Sequence, residues 1–317
     1  MTIERNPGMD LNLDWIESIQ VNKSAIERRA ASIGTRRSVK KQHQAAWLLK
    51  AITLIDLTTL AGDDTELRVK RLCAKAKHPI RHDLVNALGI EDLNLTTGAI
   101  CVYHDMLSTA ALSLKDTGIH LAAVSTGFPA GLTPTHLKIE EIKESVKAGA
   151  DEIDIVITRK HVFSENWQAL YDEVKAYREA CGEAHMKTIL ATGEISTLRN
   201  VAKASMVCMM AGADFIKTST GKESVNATLP VSLTMIRQIR EYQERTGYKI
   251  GYKPAGGISK AKDALVYLSM MKEELGNDWL QPDLFRFGAS SLLGDIERQL
   301  EHHITGHYSA AHRHAIG

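Results

Sequence analysis

Cysteine is scarce and dispersed. Cys73, Cys101, Cys181 and Cys208 are the only four in 317 residues, and no two form a CxxC pair. That spacing argues against a disulfide framework or a cysteine-based structural zinc site and fits unpaired thiols in a reducing compartment. Net charge is also lacking: 39 basic against 38 acidic side chains leave +1, so there is no global pull towards nucleic acid or anionic lipid, and any basic site must be local. No stretch supplies about 18 consecutive apolar residues for a membrane span, and the opening MTIERNPGMD has no apolar signal core. A cytoplasmic chain outside the membrane is the expectation.

What is present is a chain that is 44% hydrophobic and 24% charged, long enough for a substantial core. Two domains of about 150 residues fit, as does one α/β barrel of about 250 residues with terminal extensions. Residues 1–46 form an N-terminal extension. Its basic run ERRAASIGTRRSVKKQHQ carries Arg28, Arg29, Arg36, Arg37, Lys40 and Lys41, which reads as a solvated arm rather than an RNA contact because no aromatic residues interleave it. After it, through residues 47–302, short apolar runs alternate with longer amphipathic ones, the rhythm of parallel βα units.

Eight strands are predicted over 52–57, 99–103, 120–124, 152–157, 186–190, 215–218, 250–253 and 285–287. Between them, Trp167, Leu170, Tyr171, Val174 and Tyr177 recur at helical spacing, as do Val231, Met235, Ile236, Ile239 and Tyr242. Thr133 and Pro134 read as a helix start, Gly149 and Gly212 as helix ends. The phrases KAGADEIDIVI and MAGADFIKTS repeat one helix–turn–strand unit. The fold class is therefore α/β, a (β/α)8 TIM barrel, with a doubly wound open sheet as its rival. Residues 303–317 read as a polar, histidine-bearing flexible tail.

The chemistry gathers at strand ends. Lys217, in FIKTSTGK, closes the sixth strand, where a barrel places its active face. A partly desolvated lysine there loses its charge and can attack a carbonyl to form a Schiff base; alternatively its stem packs over the strand and its ammonium reaches water. Lys253, in GYKPAGG, ends the next strand, and its like charge would disfavour protonation of Lys217, or else both lysines bind an anion. In DEIDIVI, period two puts Glu152 and Asp154 on one face, with Asp154 nearer the active end as a proton shuttle and Glu152 a structural partner. Asp56, in LIDLTTL, is open to a similar role or to a turn. Three glycine- or hydroxyl-rich ends offer backbone donors to an anion: Ser219–Lys222, Gly256 and Gly257, and Gly288–Ser291. STGKES is not a Walker loop, since Glu223 stands where that motif needs serine or threonine.

Together FIKTSTGK, GYKPAGG, DEIDIVI, LIDLTTL, CVYHDM and FRFGASSLL, spread from residue 53 to about 294, resemble the deoxyribose-phosphate aldolase family. The resemblance implies a class I (β/α)8 enzyme that needs no cofactor and no metal. Its reaction is the reversible cleavage of 2-deoxy-D-ribose 5-phosphate to acetaldehyde and D-glyceraldehyde 3-phosphate. It implies Lys217 as the Schiff-base nucleophile, Lys253 as its perturber, Asp154 in proton relay and Asp56 beside the reacting sugar. Lys222 joins the catalytic and phosphate network, and Gly256, Gly257, Gly288, Ser290 and Ser291 belong to the phosphate loops. The partner is a small-molecule substrate; a homodimer or other homo-oligomer is open, and nothing argues strongly for nucleic acid. Two departures stand out: His104 occupies a position where relatives commonly carry proline, and Tyr308 does not align with the C-terminal tyrosine of some bacterial relatives. Another sugar-phosphate aldolase, or a binding barrel that uses its basic N-terminus, are the competing readings.

Overall fold

Short aliphatic runs set the architecture. The computed structural model describes residues 5–36 and 39–314, so Arg37 of the basic run lies outside the described residues. The strands are β1 (Ile55–Thr58), β2 (Ala99–Tyr103), β3 (His120–Ser125), β4 (Glu152–Val156), β5 (His185–Ile189), β6 (Phe215–Lys217), β7 (Gly251–Lys253) and β8 (Phe287–Ala289). All pair in parallel, each with its sequence neighbour, and β1 pairs with β8. Bridges Tyr252↔Phe285 and Ala255↔Gly288 join the two remaining edges. Strand order that never reverses is a barrel's signature, and it excludes the doubly wound sheet.

Two strands are displaced by two residues or more from their predicted bounds, the others by one at most. The first begins at Ile55 because the preceding helix, Lys41–Ile52, needs a turn before the chain can extend. The eighth is Phe287–Ala289, since Phe285 makes only an isolated bridge. The helix expected from Thr133 starts at Thr135, with Pro134 at its cap and no side-chain cap bond.

The helical stripes lie where periodicity put them. Trp167, Leu170, Tyr171, Val174 and Tyr177 are buried on the helix Trp167–Cys181; Met235, Ile236, Ile239 and Tyr242 are buried on Leu229–Thr246. The repeated Gly-Ala-Asp is a structural device. Gly149 and Gly212 adopt φ of 102° and 98° just past their helices, a conformation that favours glycine. The aspartates that follow then reach sideways to the preceding strand: Asp151 Oδ1 accepts from the Leu121 amide at 2.9 Å, and Asp214 Oδ2 from the Met186 amide at 2.8 Å.

The N-terminal segment is not a solvated arm. Asn6 is buried at the foot of β6, where its Nδ2 donates to the carbonyls of Met209 (2.7 Å) and Ala213 (2.9 Å), and its amide donates to Asp214 Oδ1 (3.0 Å). The helix Lys23–Arg36 buries Ile26, Ala30 and Ile33 against the helices Leu229–Thr246 and Ala261–Leu275. Arg29 pairs with Glu273 at 2.5 Å and Glu274 at 3.3 Å. Its apolar stripe, masked in the sequence by six charges, decides the outcome. The tail behaves alike: the helix Leu292–Thr305 is followed by a turn that buries His314 within 3.3 Å of Glu301 and hydrogen-bonds it to Ser309. Among the described residues no helix is long and apolar enough to cross a membrane.

Because Ile33 is almost fully buried in this docked helix, Ile33→Ala should lower the unfolding free energy by about 2–5 kcal/mol. Urea denaturation measures it; a loss under 0.5 kcal/mol would mean that the helix contributes little to the fold.

Candidate active site

At the C-terminal ends of the strands, seven of the sequence-predicted residues line one cavity of about 350 Å³: Lys217, Lys222, Gly256, Gly257, Gly288, Ser290 and Ser291. Clefts of about 680 to 800 Å³ lie elsewhere on the surface but contain none of the buried barrel lysines, so chemistry rather than size singles out this one. The other three predicted residues, Lys253, Asp154 and Asp56, sit directly behind Lys217 in the barrel interior, each with no exposed surface.

Parallel register builds this cluster. Lys217 on β6 lies opposite Lys253 on β7, and Asp154 on β4 opposite Lys187 on β5. Asp154 Oδ2 accepts from Lys217 Nζ at 2.6 Å and from Lys253 Nζ at 2.8 Å. Lys253 also pairs closely with Asp56 Oδ2. Asp56 Oδ1 takes Arg286 at 2.6 Å. Glu152, one layer down on the same strand face as Asp154, takes Arg286 at 2.8 Å and a short contact from Lys187. Asp154 rather than Glu152 thus lies against the Lys217 amine, and Asp56 is held in ion pairs with Lys253 and Arg286.

The protonation states follow from burial and these partners. Burial pushes the Lys217 amine below the ordinary lysine range; Asp154 opposes that shift and the charge of Lys253 adds to it. Burial also works against charge on Lys253, but Asp154 and Asp56 outweigh it and hold this amine above the usual value. Asp154 stays well below the carboxylate range, since Lys217, Lys253 and Lys187 overcome its desolvation. The Cys101 thiol, close by on β2, is pushed up to about 11 by burial and is neutral. Two lysines on adjacent strands are therefore driven apart, one towards the free amine and one towards the ammonium.

One side of the cavity is lined by the glycines and serines that follow β7 and β8. Gly256 and Gly257 follow β7 with φ near +80°, and a Cβ at Gly256 would sit 2.6 Å from the Asn226 side chain. Ser290 and Ser291 follow β8 and lead into the helix Leu292–Thr305. Lys222 donates to the Leu60 carbonyl at 2.8 Å, across the mouth from its own loop. His104 is half-exposed and 3.6 Å from Glu141, so the loop after β2 is tied to the helix Thr135–Lys147. Tyr308 stacks on His302 at 4.1 Å and does not line the cavity.

Sequence reasoning passed over Lys187 and Arg286. Both are fully buried ion-pair members, and their signal was available: each is a lone cation inside an apolar strand phrase, MKTIL and FRFGA, where only an inward, paired position tolerates it. His120, Asp151 and Glu152 bring possible metal-ligand atoms within 4.8 Å of one another at the far end of the barrel, but Glu152 is already engaged by Arg286 and Lys187.

A parallel (β/α)8 barrel that holds a desolvated amine beside a second, charged amine and a glycine-lined cavity is the class of protein defined so far: a barrel equipped for carbonyl chemistry. Residues 50–296 match the profile of the DeoC/LacD family aldolases, and the chain belongs to that family. It is 59% identical over 309 residues to the human deoxyribose-phosphate aldolase, covering 97% of each chain. To the mouse deoxyribose-phosphate aldolase it is 60% identical over 307 residues, covering 96% of each. In fold it is similar to the tetrameric deoxyribose phosphate aldolase of Aeropyrum pernix, with a TM-score of 0.61 and 20% identity over 88% of this chain and 98% of that one.

Gly288 connects the cavity to the amines: an added Cβ would lie 2.8 Å from the Ala255 methyl and 3.3 Å from Lys253 Cε. Gly288→Ala is expected to destabilise the fold by about 1–3 kcal/mol, whereas Gly294→Ala, in open helical space, should be neutral or stabilising by up to about 1 kcal/mol. Equal urea midpoints for the two variants would show that the strand end has room to spare.

Proposed function

We propose that the chain is a deoxyribose-phosphate aldolase working through a Schiff base on Lys217, with residues 47–302 as the catalytic barrel between the two extensions. The observation that carries this reading is the 2.6 Å contact of the buried Lys217 amine with an Asp154 carboxylate shared with Lys253. The names of the human and mouse relatives supply the substrate class. Self-association as a homodimer or larger homo-oligomer belongs to the same reading and rests on the family alone.

In cleavage, the Lys217 amine adds to the C1 aldehyde of open-chain 2-deoxy-D-ribose 5-phosphate, and loss of water leaves a protonated imine. Lys217 then no longer donates to Asp154 as a free amine does, and the ionised carboxylate can hold a water against the substrate. The C3 hydroxyl gives its proton to this relay. Its electrons form the new carbonyl, the C2–C3 bond breaks, and the bonding pair moves into the imine to give an enamine. D-glyceraldehyde 3-phosphate departs. The relay, with Lys253 as its charged donor, returns a proton to C2, and water then hydrolyses the imine to release acetaldehyde and the free amine. One water leaves and one enters, and the proton lost from the hydroxyl is balanced by that gained at carbon.

Asp56 holds Lys253 in place and lies beside the sugar path. Lys222, Gly256, Gly257, Gly288, Ser290 and Ser291 hold the 5-phosphate, which fixes C3 against the relay, the use of remote binding energy for orientation. A binding-only barrel using its basic N-terminus is disfavoured because Arg29, near the start of that run, is committed to Glu273 and Glu274.

Acetaldehyde with borohydride should leave an ethyl group on Lys217, found by peptide mapping, and no label without the aldehyde. A label on another lysine, with turnover surviving Lys217→Arg, would reject the nucleophile. Lys253→Met removes the charge that disfavours protonation of Lys217, so the Lys217 pKa rises and the acid limb of kcat/KM moves to higher pH. Turnover should drop by about 10²-fold or more. An acid limb that stays in place while turnover falls would limit Lys253 to proton donation.

A further inference from the structure

Behind the reacting amine the barrel interior holds four cations, Lys187, Lys217, Lys253 and Arg286, and three carboxylates, Asp56, Glu152 and Asp154, none more than 3% exposed. Unbalanced buried charge is costly, so the set is neutral when one of the four cations gives up a proton. Arg286 cannot, because a guanidinium is not deprotonated in proteins. Lys253 touches both Asp56 and Asp154. Lys187 lies among three carboxylates: in short contact with Glu152, 3.4 Å from Asp56 and 3.7 Å from the otherwise unpartnered Oδ1 of Asp154. Lys217 pairs with Asp154 alone. Of the three lysines it has the fewest carboxylates to lose, and it is the one that opens on the cavity.

We propose that Lys187 is a positioning residue for the Lys217 amine: by occupying Glu152, Asp56 and the far oxygen of Asp154, it supplies the third fixed positive charge that leaves Lys217 as the surplus cation. Lys187 is fully buried and does not line the cavity; it acts through the carboxylates it shares. Arg286 supports it from below, bridging Asp56 and Glu152, and the Phe215 ring lies 5.6 Å from the Lys187 ammonium. The remaining titratable groups around the cluster are Cys101 on β2, His120 on β3, which pairs with Asp151, and His185 at the start of β5. The inference rests on the Schiff-base reading and adds to it a charge-setting residue on a different strand.

The test compares signs. With Lys187→Met, three cations face three carboxylates only if Lys217 keeps its proton, so its pKa rises. The acid limb of kcat/KM for 2-deoxy-D-ribose 5-phosphate then moves up by about one pH unit or more. Lys187→Arg keeps the charge and should restore the wild-type limb. Glu152→Gln removes an anion from the layer below and should move the limb down, and the double variant Lys187→Met/Glu152→Gln should return towards wild type. Trapping with acetaldehyde and borohydride across the same pH range should show the same displacements.

A merely structural role predicts lower thermal stability and kcat with the limb unmoved, or both single variants displaced the same way; either result overturns the proposal. Should Lys187→Met fail to fold, Glu152→Gln decides: a downward shift supports the proposal, and an unmoved or raised limb overturns it. If the wild-type chain is not trapped at Lys217 at all, the functional reading falls and this one with it; trapping at Lys217 with unmoved limbs removes only the role of Lys187.

Discussion

Three carboxylates shared among four cations in a closed barrel interior are the constraint on which the rest of the structure depends. Each member alone would be a heavy desolvation cost, and a buried ion pair is weak evidence for stability because well-packed apolar groups often do as well. What such a cluster does provide is a unique arrangement. Asp154 accepts two amines on one oxygen, Asp56 ties Lys253 to Arg286, and Glu152 anchors the lower layer. Because the partners come from β1, β4, β5, β6, β7 and the approach to β8, a register error in any of these strands leaves a charge unpaired. The site thus also specifies the fold around it.

The brevity of the last three strands serves the same end. β6, β7 and β8 have three residues each, and β6 and β7 finish on the lysine that matters. The outer helices hold these short strands in place through apolar stripes and through aspartates that reach the neighbouring strand, and the N-terminal residues complete the support at the foot of β6. There Asn6 satisfies the carbonyls of Met209 and Ala213, which lie at the end of the helix Leu198–Met210 and in the turn after it, so a segment remote from the chemistry steadies the strand that carries the amine.

The parts that were legible in the sequence were those with a strong local period or a residue type in an unusual setting. Alternating apolar runs and 3.6-residue stripes located all eight strands and the principal helices, with end errors where a turn or an isolated bridge decided the boundary. The positions of Lys217 and Lys253 were legible because each closes a short strand, and that of Asp154 because it alternates with isoleucines along β4. The docking of residues 5–36 was not, since Ile26, Ala30 and Ile33 form a narrow stripe among charges and only the facing helices show that it is covered. Lys187 and Arg286 were missed for a different reason. Their importance lies in pairwise distances across the barrel, and a single strand's pattern can show that a cation points inward without showing what it meets.

The cavity and the amines are not independent modules. Gly288 sits in β8 with its backbone against Ala255 and its missing side chain beside Lys253 Cε, and its own register partner is Asp56. The loop proposed to offer backbone donors to an anion therefore begins on the residue that leaves space for Lys253. In the proposed phosphate role of this loop, the residue that lines the cavity is also the one whose small size leaves room for Ala255 and Lys253.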